Sequence, residues 1–233
     1  VFQNTYLYFP APESGKVTLT LEKAAGEGDA YFDDVRIVEN DAQNITRDKD
    51  GNIVKFEQDF ENNVQGIYPF VVSGIEGVED NRIHLSELHG PYTKADWDVK
   101  KMDDVLDGNW SVKINGLTQR QTLAYQTIPQ NFRFEPGVKY RVSFDYQAGS
   151  DGTYGVVVGS GEFSEATEVD TLNKHMGKNK DGHYVCEITG DLSGQTWFGI
   201  YSTDKAPDLQ GSQGSAQNFG GYKELVLDNL VIE

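Results

Sequence analysis

Residues 138–147 read VKYRVSFDYQ, and the fold turns on them. Val138, Tyr140, Val142, Phe144 and Tyr146 alternate with Lys139, Arg141, Ser143 and Asp145. Successive side chains of an extended chain point to opposite faces, so a period of two predicts a strand with one apolar and one polar face. The Glu135-Pro136-Gly137 run just before it is a turn signal. Working outward, TYGVVVG (153–159), YVCEITG (184–190), TWFGIYS (196–202), KELVLDNLVI (223–232) and KVTLTLEK (16–23) read the same way. Gly, Asn, Asp and Ser clusters separate them. Many short strands divided by turns, with little helical periodicity, predict an all-β fold, a β-sandwich or jelly roll.

The composition agrees. The chain has 233 residues with 12 Tyr, 12 Phe and 3 Trp, enough to fill a sizeable core with residues that strands favour. No run of 18 apolar residues occurs, so no helical membrane insertion is expected. The formal net charge is −17, which repels phosphate backbones and argues against a nucleic-acid partner. Cys186 alternates with Tyr184 and Ile188, so it reads as a buried strand position rather than a nucleophile. His84 and His89 flank Glu87 but lack zinc-site spacing, and no phosphate loop or nucleophile elbow is present.

One helix is expected in TKADWDVKKMDDVLDG (93–108), where Val99, Met102 and Leu106 fall on one face, Thr93 offers a cap and Gly108 a stop. DLQGSQGSAQNFGGY (208–222) reads as a long surface loop.

Two phrases echo each other: YFDDVRIVE at 31–39 and LVLDNLVIE at 225–233. They are too far apart for a solenoid repeat. The polar stretch at 39–54 looks like a boundary between modules. The expected organisation is therefore residues 1–40 as the final strands of a preceding β-sandwich, 41–51 as a linker, and 52–233 as a complete module. On that reading each phrase is a last strand.

Residues two apart share a face, so Asp33 is expected beside Val35 and Ile37, and Asp228 beside Val226, Leu230 and Ile232. A carboxylate on an apolar face must be paired, hydrogen-bonded or bound to a cation. In KFEQDFENN (55–63), Phe56 and Phe60 share one face, with Glu57, Asp59 and Glu61 on the other. First and last strands of a jelly roll can lie close together. Clustered carboxylates there would suit Ca²⁺, which takes six to eight oxygen ligands. The alternative is that these acids accept N–H bonds, pair with Lys or Arg, or face water.

The order QDFENN, GNWSVKI, LAYQTIPQNFRFEPGVKYRVSFDY, LVLDNLVIE resembles the galactose-binding-like jelly-roll superfamily of carbohydrate-binding modules. More narrowly, RIHLSELHGPYT, DDVLDGNWSVKING and TIPQNFRFEPGVKYRVSFDYQAGSDGTY resemble the C-terminal accessory region of family 101 endo-α-N-acetylgalactosaminidases. Those are large surface enzymes of mucosal bacteria that remove O-linked disaccharides from mucin-type glycoproteins. The resemblance implies a structural Ca²⁺ at Asp59, Glu61 and Asp228. It implies an extracellular location at a bacterial cell surface, with the rest of a parent enzyme and glycans of galactose or N-acetylgalactosamine type as partners. It implies no catalysis in this stretch, since that family's catalytic carboxylates lie in a barrel domain.

A sugar site needs an exposed aromatic platform with polar groups nearby. Tyr92 and Trp97, amid charge, Gly and Pro, are the expected platform, with Tyr222 as a further contact. Trp110 is expected in the core, and Trp197 could face either way. Two rival functions stand beside the sugar-binding reading: a purely structural or protein-interaction sandwich, and a glycosidase using Glu76 with Glu79 or Asp103 with Asp104.

Overall fold

The structure, a computed structural model, describes residues 14–23, 26–32, 35, 37, 44–72, 83–88, 103–115, 120–176, 181–205 and 224–233. Twelve strands are assigned among them, all paired antiparallel. They are β1 (Ile45–Arg47), β2 (Ile53–Gln58), β3 (Phe70–Val72), β4 (Ile83–Glu87), β5 (Trp110–Ile114) and β6 (Thr122–Thr127). After them come β7 (Lys139–Ala148), β8 (Tyr154–Gly159), β9 (Thr167–Thr171), β10 (Gly182–Thr189), β11 (Trp197–Ser202) and β12 (Leu225–Ile232).

They form two sheets. One runs β1-β2-β12-β5-β4, with β7 also paired to β12 and β10 to β7. The other runs β3-β6-β11-β8-β9. Phe56, Val142, Phe144, Leu227 and Ile232 from the first sheet meet Phe70, Tyr125, Val156, Phe198 and Ile200 from the second in one core. The aromatic count is spent here: Phe134 lies edge-on to Tyr140 at 5.2 Å and to Phe198 at 6.3 Å, bridging the sheets. Burying each such ring stabilises the fold by about 1.5–3 kcal/mol. The all-β sandwich expected from the period-two pattern is the fold observed.

The alternation predicted for 138–147 becomes β7, whose inward Tyr140, Val142, Phe144 and Tyr146 are all buried. The outer residues of its partner β10 stand exposed while Tyr184, Cys186 and Ile188 are buried, as the sequence requires of a strand with one wet face. Gly137, the turn glycine before β7, takes φ +74, a left-handed conformation that glycine adopts without penalty.

Three local expectations change. Residues 44–51, the described part of the stretch read as a linker, supply β1 and its turn to β2, so they belong to the sandwich. The turn is closed by Asp48, whose carboxylate accepts the backbone N–H of Asp50 and Asn52 at 2.9 Å each. The described end of the expected helix, 103–108, contains no helix; the Asp103 and Asp104 side chains are drawn to the sheet beneath instead. KVTLTLEK forms no strand: Val17, Leu19 and Leu21 are 45–49% exposed.

The expected face of Asp228 also changes. The register between β12 and β7 slips between Asp228 and Val231, and Asn229 takes φ +50. This bulge inserts one residue, so the two halves of β12 are out of phase. Leu225 and Leu227 point into the main core before it, and Leu230 and Ile232 after it. Val226 points the other way, packed with Met176 and Leu106, and Asp228, two residues on, shares its face. Asp228 therefore sits on the outer side of the sheet, not beside Leu230 and Ile232, and is buried by what covers that side.

Candidate functional site

The cover is the loop 103–109, running from the sequence DDVLDGN into β5. Its first two acids, Asp103 and Asp104, meet complementary groups on the outer face of the sheet that holds β5, β7 and β12. Gln147, fully buried on β7, donates its amide to Asp103 at 2.9 Å and to Asp181 at 2.6 Å, and accepts the Asp103 backbone N–H at 3.2 Å. Lys113 of β5, 5% exposed, forms an ion pair with Asp104 and lies 3.5 Å from Glu224. Buried cations need such partners, because an unpaired charge out of water costs several kcal/mol.

Asp228 completes the row. It accepts the Ser111 hydroxyl at 2.5 Å and the Asp107 N–H at 3.2 Å on one oxygen, and the Asn229 N–H at 2.8 Å on the other. Burial pushes its carboxyl up to about 7, against the pull of those three hydrogen bonds.

Glu61 holds the other end of the same loop. Its Oε1 accepts the backbone N–H of Asn109 at 2.8 Å and of Trp110 at 2.9 Å, and its Oε2 accepts the Asn109 side-chain amide at 3.0 Å. The chain reaches this position through Phe60, which takes φ +57 while its ring is fully buried. Gln58 fixes that bend: it accepts the Phe60 N–H at 3.0 Å and donates to Gln65 at 3.0 Å and the Tyr68 carbonyl at 2.8 Å. Asp59 is exposed and accepts the Glu61 N–H at 3.1 Å. β2 and β12 lie side by side as paired strands. Glu61 after β2 holds Asn109 and Trp110, and Asp228 on β12 holds Asp107 and Ser111.

These carboxylates meet hydrogen donors, whereas a calcium cage needs free oxygen lone pairs converging on one point. Among the described residues no group of three or more His, Cys, Asp or Glu side chains is arranged to hold a metal ion. As placed, Asp59, Glu61 and Asp228 do not fit such a cage. A Ca²⁺ here would have to displace N–H donors or draw on other oxygens.

Beside the clamp, a surface cleft of about 530 Å³ is lined by Asn44, Glu57, Asp59, Glu61, Asn62 and Asn229, among others. Its walls offer amides and carboxylates, groups suited to hydrogen-bonding hydroxyls. Sequence reasoning found the acids here but not Asn44 or Asn229. Asn44 lay in the presumed linker, and Asn229 lines the cleft only because of the bulge.

The expected platform residues Tyr92, Trp97 and Tyr222 lie outside the described residues, as do Asp33, His89, Glu76 and Glu79. Of the other aromatics, Trp110 is half-buried. Trp197 and Tyr201 are 4% and 9% exposed and pack with Leu123 and Val157 on the outer face of the second sheet, while Phe198 fills the main core. Asp103 and Asp104 both serve the loop clamp.

An antiparallel sandwich with its last strand inside one sheet defines a β-sandwich module of the jelly-roll kind. The chain belongs to the galactose-binding domain-like family, which it matches over residues 33–221. Over all 233 residues it is 30% identical to a protein of Renibacterium salmoninarum named "Putative endo-alpha-N-acetylgalactosaminidase", of which it spans 14%. The CBM22-1 xylan-binding domain of Paenibacillus barcinonensis Xyn10C is similar at 14% identity and a TM-score of 0.46, over 76% of this chain and 92% of that one. A cleaved adhesin domain of Lys-gingipain from Porphyromonas gingivalis is similar at 13% identity and a TM-score of 0.44, over 77% of this chain and 98% of that one.

Proposed function

We propose that this chain is a noncatalytic, carbohydrate-binding accessory module of a secreted bacterial endo-α-N-acetylgalactosaminidase, acting outside the cell on mucin-type O-glycans. The observation that carries the reading is its end-to-end similarity to a small part of a much longer protein bearing that enzyme's name. A segment spanning 14% of the relative's length fits an accessory role better than the whole activity. The polar cleft beside Glu61 supports a sugar ligand, since its amides and carboxylates can exchange hydrogen bonds with hydroxyls. Its acidic walls favour neutral galactose or N-acetylgalactosamine over sialylated or sulfated sugars. Tyr92, Trp97 and Tyr222 are the side chains proposed to supply an aromatic platform, which the cleft's own lining does not contain. Within this reading, calcium at Asp59, Glu61 and Asp228 requires those oxygens to exchange N–H donors for the ion.

A structural spacer is the second reading. It is favoured by the burial of Trp197 and Tyr201, which leaves neither ring open as a platform. Binding of the chain to an array of O-glycan structures separates the two.

A further inference from the structure

The two echoing phrases meet opposite fates. Phe32, Val35 and Ile37 correspond in sequence to Leu227, Leu230 and Ile232. The latter three are 0% exposed, held in a strand paired to β2, β5 and β7. The former are 56%, 58% and 73% exposed. Upstream, Val17, Leu19 and Leu21 alternate with Thr18 and Thr20 at 45–49% exposure, and Tyr31 is 76% exposed. No strand is assigned among the described residues of 14–37. Seven large apolar side chains thus stand in water within one short stretch, whereas the exposed apolar residues described after it, such as Val54, Val138 and Leu192, are scattered singly. A sustained exposed apolar set of this kind marks an interaction surface.

The occupant follows from the pattern. A period of two calls for a sheet, not a groove for a helix. The phrase at 31–39 repeats a strand that lies at the centre of its sheet, with neighbours on both edges and a sandwich core beneath. We propose that residues 14–37 are the last strands of a second galactose-binding-like β-sandwich and dock among that sandwich's own strands, which are carried elsewhere in the intact polypeptide. The relative supports this, since a stretch spanning 14% of its length leaves ample chain for another module. The proposed partner is therefore apolar, β-structured and covalently linked.

The test compares hydrogen exchange in the intact polypeptide and in this 233-residue chain. Amides 31–38 are expected to exchange at least about 100-fold more slowly in the intact polypeptide, while those of β12 exchange alike in both. Val35→Asp with Ile37→Asp should remove the extra protection of 31–38 and leave β12 protection unchanged. Equal, fast exchange of 31–38 in both forms would overturn the proposal. So would a dimer of the 233-residue chain by sedimentation in which 31–38 become protected, since the occupant would then be a second copy. Neither outcome depends on whether the module binds sugar.

Discussion

Ser111 donates its hydroxyl to Asp228 at 2.5 Å, joining a residue of β5 to the bulged centre of β12 beneath the loop that covers them. Asp228 is fully buried, and its three hydrogen bonds tie together β5 at Ser111, the loop at Asp107 and the bulge at Asn229. Replacing it by Ala strands the Ser111 hydroxyl and the Asp107 N–H together. The expected loss in urea unfolding is about 2–4 kcal/mol. Asp228→Asn keeps an acceptor and should cost less than half as much. Equal losses for the two variants would contradict a role through hydrogen bonding.

The same residue gives a pH dependence with a definite sign. Its carboxyl titrates near 3.8 when unfolded and is pushed up to about 7 by burial in the fold. Between those values the unfolded chain releases a proton that the folded chain keeps. Stability contributed by this group is present below about pH 4 and is lost as pH rises to about 7, then stays level. The difference in unfolding free energy between the wild type and Asp228→Asn should therefore shift against the wild type across that window. A difference independent of pH would contradict it.

Gly108 tests the grip of Glu61. It takes φ +58, and a Cβ there would overlap the Glu61 carboxylate. Gly51 also lies at positive φ, +87, but faces open space. Gly51→Ala should cost about 1 kcal/mol from backbone strain alone, and Gly108→Ala clearly more, because it also dislodges the acceptor of three N–H bonds. Equal costs would show that Glu61 is not packed on this loop.

Chelation decides between clamp and cage. Held by N–H and O–H donors, the junction predicts one melting curve with or without EDTA. A melting temperature that falls on chelation and returns with Ca²⁺ but not Mg²⁺ would place an ion among these oxygens.

The strands were legible where one face is wet and the other dry. β10 alternates throughout and β7 in its first half, so their inward residues could be named from sequence alone. Three features were not legible, each because its cause is distant in sequence. The bulge at Asn229 changes phase within a continuous apolar run, and LVLDNLVI carries no local mark of it. The acids of DDVLDGN suggested a capped helix, yet their partners Gln147, Lys113, Ser111 and Asp228 lie on other strands. β1 is three polar-flanked residues whose pairing to β2 depends on the turn that Asp48 closes. Of the expected ligand residues, Glu61 and Asp228 each hold part of the segment 107–111, beside the paired strands β2 and β12. The bond between them and the loop is made by hydrogens, which a pattern of acids does not reveal.

The central claim is sugar binding without catalysis. The measurement that tests it most directly is titration calorimetry of the chain with the O-linked core disaccharide, alongside its Trp97→Ala and Tyr92→Ala variants. Weak saturable binding, roughly millimolar to micromolar, is expected, lost in at least one variant, with the disaccharide recovered intact. No heat of binding at high protein concentration, for this disaccharide and for galactose and N-acetylgalactosamine alike, would contradict it and leave the spacer reading standing.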